Sequence, residues 1–425
     1  MCAQMTAKPI VFTNAVLFDG EKYFARELYS VLVEGERITH VSAGNVEPGE
    51  NFSVVDLKGA FLMPGLIDAH THANMPTMNI GSLSHWPMSR LSQHARSFLE
   101  GLLEQGFTST RDAGGADFGL VQAIDEGLIL GPRLYIAGKA LSQTGGHGDL
   151  RGRTDTYGCS CSQVGVVSQI VDGVDQVRAA VRDQFRQGVN QIKIMVSGGV
   201  LSPTDPIWMD QFADDEIAVA VEEARRWRSY VMAHAHTSAA ARRCARLGVR
   251  SIEHGTMIDR STADVIAKVG AFVVPTLSII GGIQASGDAL PVEARDKIKY
   301  VADAASLAVK HCYEAGVAIG LGSDLIGSWQ GGEAKELKLR SGLMPTLDIL
   351  KSATSINGEL IRPEKDLGLI RPGALADMIV VDGNPFDDIS IFNDARSFVS
   401  LVMKDGKVLK DTRERMPLTV GAPAV

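Results

Sequence analysis

Apolar and polar residues alternate at both ends of the chain, whereas through its middle short apolar runs give way to stretches with apolar positions three and four apart. Residues 9 to 62 carry the alternating runs IVFTNAVLF, SVLVEGERITHVSAG and FSVVDLKGAFLM, separated by turn residues, and read as short strands. The same texture returns after residue 363 in LGLIRPGALADMIVVDGNP and FVSLVMKDGKVLKD. The simplest packing joins residues 1–62 and 358–425 into one discontinuous β-sandwich. Between them lie eight strand candidates rich in Val, Ile and Thr, at 65–72, 108–115, 132–138, 191–199, 230–237, 250–256, 272–278 and 317–324. Helical stretches such as VDQVRAAVRDQFRQGV and DDEIAVAVEEARRW fill the gaps. Alternating βα units build a parallel sheet, and eight of them close a barrel. The expected fold is therefore α/β: a (β/α)8 TIM barrel over residues 63–357 beside the small sandwich. An open doubly wound sheet is the alternative, disfavoured by the lack of a G-x-G-x-x-G turn.

Most of these runs end in a His, Lys or Asp, and in a barrel the C-terminal strand ends form the mouth that carries the active site. His70 and His72 close the first run, Lys193 lies in the fourth, His234 in the fifth, His254 in the sixth, and Asp324 ends the eighth. Residues i and i+2 of a strand share a face, so both imidazoles of an H-x-H can reach one ion. A single strand histidine is ordinarily a hydrogen-bonded core residue. Here six of the ten histidines fall at strand ends or in one mouth loop, leaving only His40, His85, His94 and His311 elsewhere. Lys193 stands inside IKIMV, where an ammonium is costly to bury. Two readings stay open: a snorkelling or salt-bridged lysine, or an amine carboxylated by CO2 to a carbamate whose oxygens can bridge two cations.

Composition narrows the partners. With 42 basic against 50 acidic residues the formal charge is −8, and no basic run with interleaved aromatics tracks a phosphate backbone, so nucleic acid is not expected. The five cysteines are scattered at Cys2, Cys159, Cys161, Cys244 and Cys312 without metal-site spacing and read as reduced thiols. No 18-residue apolar stretch occurs and the N-terminus lacks the signature of a secretory leader, so the expectation is a cytoplasmic protein without membrane contact.

PGLIDAHTH at 64–72, TSTRDAGG, TGGHGD at 144–149, IKIMVSGGV, AHAHT, SIEHGT and LGSD together resemble the amidohydrolase superfamily over nearly the whole chain. Within it they look most like the branch of ochratoxinases and Xaa-Pro dipeptidase-like carboxypeptidases. Position by position, the resemblance implies that His70, His72 and Asp324 hold one divalent metal, that His234 and His254 hold a second, and that carboxylated Lys193 bridges them. Zinc is the default ion for such ligands. A small-molecule amide or dipeptide-like substrate is implied, cleaved beside a C-terminal amino acid, with ochratoxin A giving ochratoxin α and phenylalanine as the specific reaction. A homo-oligomer, up to an octamer, is implied by the same analogy. In such a site two cations share and acidify a water, while Asp324 takes its proton and returns it to the leaving amine.

Position alone makes His147 and His236 candidates for stabilising the oxyanion or binding a substrate carboxylate. Arg151 and Arg153, in the long loop 139–165, suit a substrate carboxylate or are simply solvated. The loop's length favours a lid. Gly198 and Gly199 either admit a ligand close to the backbone or permit a tight turn. Three rivals are weighed. A broad Xaa-Pro dipeptidase would use the same set. A deaminase or imidazolonepropionase-like hydrolase typically has an acidic residue where His236 stands and lacks the lysine. A non-catalytic, metal-stabilised scaffold commonly loses ligands, and here all six are present.

Overall fold

Each of the eight central runs contains a strand, namely β1 (Leu66–Thr71), β2 (Phe107–Asp112), β3 (Arg133–Ile136), β4 (Ile192–Met195), β5 (Val231–Thr237), β6 (Ser251–Met257), β7 (Phe272–Val274) and β8 (Ala318–Ile319). The protein is seen in a computed structural model that describes residues 8–44, 46, 51–155, 165–202, 204–287, 290, 292–362, 364 and 366–413. Cys2, Cys159 and Cys161 lie outside the described residues, as do residues 156–164 of the long loop. Cys244 and Cys312 are buried and unpaired, and burial pushes both thiols up to about 12.

The strands fall into two parallel arrays. β1, β2 and β3 pair in that order, and β4 to β8 pair in sequence order in a second sheet that continues past β4 into the short strands Ala140–Ser142 and Ser168–Ile170. Among the described residues no strand ladder joins β3 to β4 or β8 to β1. Single backbone hydrogen bonds cross both gaps instead. Asn190 N–H donates to Ile136 O at 2.8 Å, Ala69 N–H to Leu321 O at 2.9 Å, and Asp324 N–H to His70 O at 2.8 Å. That last bond ties the first candidate ligand strand directly to the last. Every residue of β1 and of β2 is buried, as parallel strands covered on both faces must be.

The helices form where sequence signals agree. Asp214–Arg226 opens with Asp214, Asp215 and Glu216 and closes with Arg225 and Arg226, so its charges oppose the helix dipole favourably. It packs Ile217, Val221 and Ala224 inward. Arg260–Val269 is capped by Asp259, whose carboxylate accepts from Thr262 N–H at 2.7 Å, and stops at Gly270, which takes the left-handed conformation at φ 70°.

Both chain ends enter one eight-stranded mixed sheet. Ile10–Phe18 pairs with Tyr23–Glu34 on one side, and on the other with Ser53–Asp56 along its first half and Phe61–Pro64 along its second. Met378–Val381 then pairs antiparallel with Phe61–Pro64, which is where the returning C-terminal segment joins the N-terminal one. Phe12, Leu17, Val31, Leu62, Met378 and Leu401 form the apolar cluster of this sheet. No helix among the described residues is long and apolar enough to cross a membrane.

Asp259→Ala should cost about 1 kcal/mol of stability through loss of the cap. The contribution is a depressed-pKa one: the Asp259 carboxyl is held at about 2 because its hydrogen bonds to Thr262, Ser261 and Ser238 outweigh desolvation. It is present above about pH 4 and fades as the pH falls toward 2, so urea midpoints of the wild type and variant should converge in acid.

Candidate metal centre

The ends of β1, β5 and β6 and the segment after β8 bring His70, His72, His234, His236, His254 and Asp324 to one cleft, with Lys193 of β4 among them. His72 Nε2 lies 3.1 Å and His70 Nε2 3.5 Å from Asp324 Oδ1. Ligand atoms of His70, His254 and Asp324 all lie within 4.8 Å of one another. The His234 ring stands 4.5 Å from that of His254, centroid to centroid.

The far nitrogen of each ring is already used. His70 Nδ1 meets Glu253 Oε2 at 2.6 Å, His72 Nδ1 meets Gly114 O at 2.9 Å, and His254 Nδ1 meets Thr276 Oγ1 at 2.8 Å. His234 is the reverse case, with Nε2 at 3.3 Å from Gly198 O. Such bonds leave one lone pair per imidazole for the centre and fix ring orientation. For His70 burial supplies the right protonation state: desolvation, reinforced by Lys193, brings it down to about 4 against the pull of Asp324 and Glu253, whereas at His72 desolvation is outweighed by Asp324 and the ring is raised. A neutral imidazole is what a metal binds. Asp324 stays ionised, since His70, His72 and Lys193 outweigh desolvation and lower it. The donor set therefore fits a divalent cation.

His254 and Asp324 both adopt left-handed backbone, at φ 68° and 56°. Strain of this kind costs about 1 kcal/mol or more per residue and persists where surrounding bonds over-determine the conformation. Lys193 is 2% exposed, and desolvation lowers its ammonium to about 8. Glu253 and Asp324 oppose that shift from a distance, but among the described residues no hydrogen bond or ion pair reaches the ammonium. A snorkelling lysine would be exposed at its tip and a salt-bridged one would have a partner; neither describes it.

The cleft encloses about 930 Å³ of empty space, open solvent included. It is also lined by Ile279, Ile280, Ile283, Ile298, Ile326 and Val200. His147 and His236 both line it. His236 Nδ1 bonds Thr256 Oγ1 at 2.8 Å, and burial, helped by the charge of His147, takes its ring down to about 3.

Other expected contacts lie differently. Arg151 pairs with Asp149, its Nε 2.7 Å from Oδ1, while Arg153 is exposed, and neither lines the cleft. Gly198 and Gly199 make room for protein, not ligand: a Cβ would sit 1.9 Å from Pro206 O in the first and 2.1 Å from the His147 ring in the second. The described part of the loop is built into the wall, with Gly148 and Leu150 lining the cleft and Ser168 Oγ donating to Gly148 O.

Sequence reading passed over Arg111 and Glu253. Arg111 Nη2 donates to Glu253 Oε1 at 2.9 Å and its Nε to Ala69 O at 2.7 Å, all fully buried. Arg111 and His70 outweigh the desolvation of Glu253 and hold its carboxyl at about 2. Both residues were legible in principle, being charges inside the central strand runs, the criterion that singled out Lys193.

Residues 61–409 match the Amidohydrolase family. The chain is 36% identical over 368 residues to the ochratoxinase of Aspergillus niger, spanning 82% of this chain and 75% of the relative. The crystal structure of that A. niger ochratoxinase superposes with a TM-score of 0.85 at 30% identity, covering 96% of this chain and 97% of that one. A prolidase crystallised with N-methylphosphonate-L-proline gives a TM-score of 0.92 at 39% identity over 95% of this chain and 100% of its own. A Xaa-Pro dipeptidase with methionine bound in its active site gives 0.83 at 30% identity over 95% and 100%. The chain belongs to the amidohydrolase family, and it is a hydrolase acting on amide or peptide C–N bonds.

Glu253→Gln should weaken divalent-metal affinity roughly 10- to 100-fold, measured by competition with a chromogenic chelator. In the metal-free protein the depressed carboxyl stabilises the fold above its ordinary value of 4.5 and ceases to do so as the pH falls to about 2. The variant should lose that acid limb. Unchanged metal affinity would separate Glu253 from the centre.

Proposed function

We propose that the chain hydrolyses an amide beside a C-terminal amino acid at a binuclear centre, with ochratoxin A cleaved to ochratoxin α and phenylalanine as the reaction. The observation that carries this reading is a buried Lys193, without a hydrogen-bond or ion-pair partner among the described residues, in one cleft with His70, His72, His234, His254 and Asp324. His70, His72 and Asp324 would hold one cation, His234 and His254 the second, and Lys193, carboxylated by CO2, would bridge them. Zinc suits the donors. When bound, the cations acidify a water and polarise the scissile carbonyl.

The chain's own residues do the rest. Asp324, ionised and 16% exposed at its side chain, accepts the proton of the attacking water and passes it to the leaving amine, which departs poorly unprotonated. The isoleucine wall shields the reacting groups from solvent and buries the apolar part of the substrate. His236 faces the same space and suits a polar contact with the substrate. Identity with the A. niger ochratoxinase favours the ochratoxin substrate. The prolidase and dipeptidase likenesses favour a second reading, a broader dipeptidase using the same centre.

We read the two parallel arrays as a closed (β/α)8 barrel over 63–357, since backbone bonds cross both gaps. The terminal sheet, from 1–62 and 358–425, then folds around its apolar cluster as a sandwich. The implied oligomer is open to sedimentation analysis.

Elemental analysis should find about two metals per chain, and chelation should abolish release of phenylalanine from ochratoxin A. Lys193→Ala should lose the second metal, with partial recovery from added metal and a short carboxylic acid. Full activity in that variant would remove the carbamate. His311→Ala is the control: its Nδ1 bonds Ile258 O at 3.0 Å, outside the cleft, and activity should stay within twofold, roughly the effect of an ordinary surface change.

A further inference from the structure

The helix Leu277–Ala285 and the segment after β8 form a wall with a cavity on each side. Ile279, Ile280 and Ile283 line the metal cleft, whereas Ser278, Gly281 and Gly282 of the same helix line a second cavity. Asp324 and Ile326 likewise line the cleft, and Leu325 between them lines the cavity. This second cavity encloses about 1020 Å³ of empty space, open solvent included, a size comparable to that of small-molecule sites. Its walls are held in place. Glu336, buried in the short helix Lys335–Leu339, accepts from Ser278 N–H at 2.7 Å and from Ser278 Oγ–H at 2.8 Å. Gln330 Nε2 donates to His72 O at 3.0 Å, which pins the segment that carries Trp329.

Two features of the cavity go beyond a gap between elements. Packing accounts for Gly282, where a Cβ would come within 3.0 Å of the Trp329 indole, but at Gly281 a Cβ would meet nothing within 4 Å. A glycine inside a helix is destabilising relative to alanine, and here it keeps one side of the cavity open. The second feature is charge. Lys335 and Lys338, one helical turn apart, both line the cavity, and no acidic residue does so among the described residues. The stem of Lys335 runs over Gly332, where a Cβ would lie 3.4 Å from its Cδ. Among the described residues no carboxylate forms an ion pair with either ammonium; Lys338 acts on Asp388 only through space. Trp329, Leu325 and Leu339 supply apolar contact in the same cavity. Unpaired cations beside an indole suit a ligand that joins an anionic group to an aromatic ring.

We propose that this cavity is a second ligand site, separate from the metal centre, for an aromatic carboxylate whose ring meets Trp329, Leu325 and Leu339 and whose anionic group pairs with Lys335 and Lys338. None of these five residues lines the metal cleft, so the assignment stands apart from amide hydrolysis.

The test is equilibrium dialysis of the zinc-loaded enzyme against 1-naphthoate and its neutral isostere 1-naphthamide. Naphthoate should bind the wild type at least about tenfold more tightly than the naphthamide, which cannot form the two charge-assisted contacts. Two variants locate the site: the double change Lys335→Gln and Lys338→Gln removes both charges, and Gly281→Leu puts a side chain into the open space. Each should lose one bound naphthoate per chain, and Gly281→Leu should do so with a Tm no lower than that of the wild type, because leucine is the better helix former. Should Gly281→Leu fail to fold, the lysine pair, exposed on its short helix, decides alone. Naphthoate held in the metal cleft would persist in both variants. A wild type that retains no naphthoate at millimolar concentration, that binds the naphthamide equally, or whose bound naphthoate survives in full in the variants overturns the proposal. Dialysis reads binding alone, so an enzyme that binds naphthoate here and cleaves no amide sinks only the function proposed above.

Discussion

Glu253 lies between His70 and Arg111 with no solvent in reach, and the geometry of the centre hangs from its two oxygens. One oxygen fixes the His70 ring; the other holds a guanidinium whose Nε is anchored on Ala69 O, one residue before His70. β1, β2 and β6 are thereby joined by charge as well as by packing. Removing one partner from such a buried pair typically costs about 3–5 kcal/mol, because the other is left uncompensated. The same interaction stands beside the strained backbone of His254, the next residue along β6.

Burial does two opposed things in this cleft. It drives His70 and His236 to the neutral state and leaves their lone pairs available. It also lowers the ammonium of Lys193 to about 8. The carboxylate of Asp324 remains charged because His70, His72 and Lys193 beside it outweigh desolvation. A single apolar environment thus sorts the ionisable groups into roles, according to the sign and nearness of their neighbours.

Much of this was legible along the chain. The eight strand runs were readable because a strand buried on both faces must be almost wholly apolar, so each polar residue within it stands out. His70, His72, Lys193, His234, His254 and Asp324 were found by that contrast. Arg111 and Glu253 obey the same rule and were passed over beside more conspicuous neighbours. Gly198 and Gly199 were read as room for a ligand; only in three dimensions do Pro206 and the His147 ring occupy that room. Arg151, read as an anion binder, turns to Asp149 two residues away, a local ion pair that competes with any distant partner.

Sequence by itself determined the order and burial of the strands and the chemistry at their ends, since both follow from local period and residue type. Only the tertiary structure decided which nitrogen of each ring is free, because that depends on acceptors brought from elsewhere: Glu253 for His70, Gly114 for His72, Thr276 for His254. Those partners stand between 22 and 183 residues away along the chain. A hydrogen bond has a reach of about 3 Å, so no pattern in the chain can fix it until the fold has closed that distance.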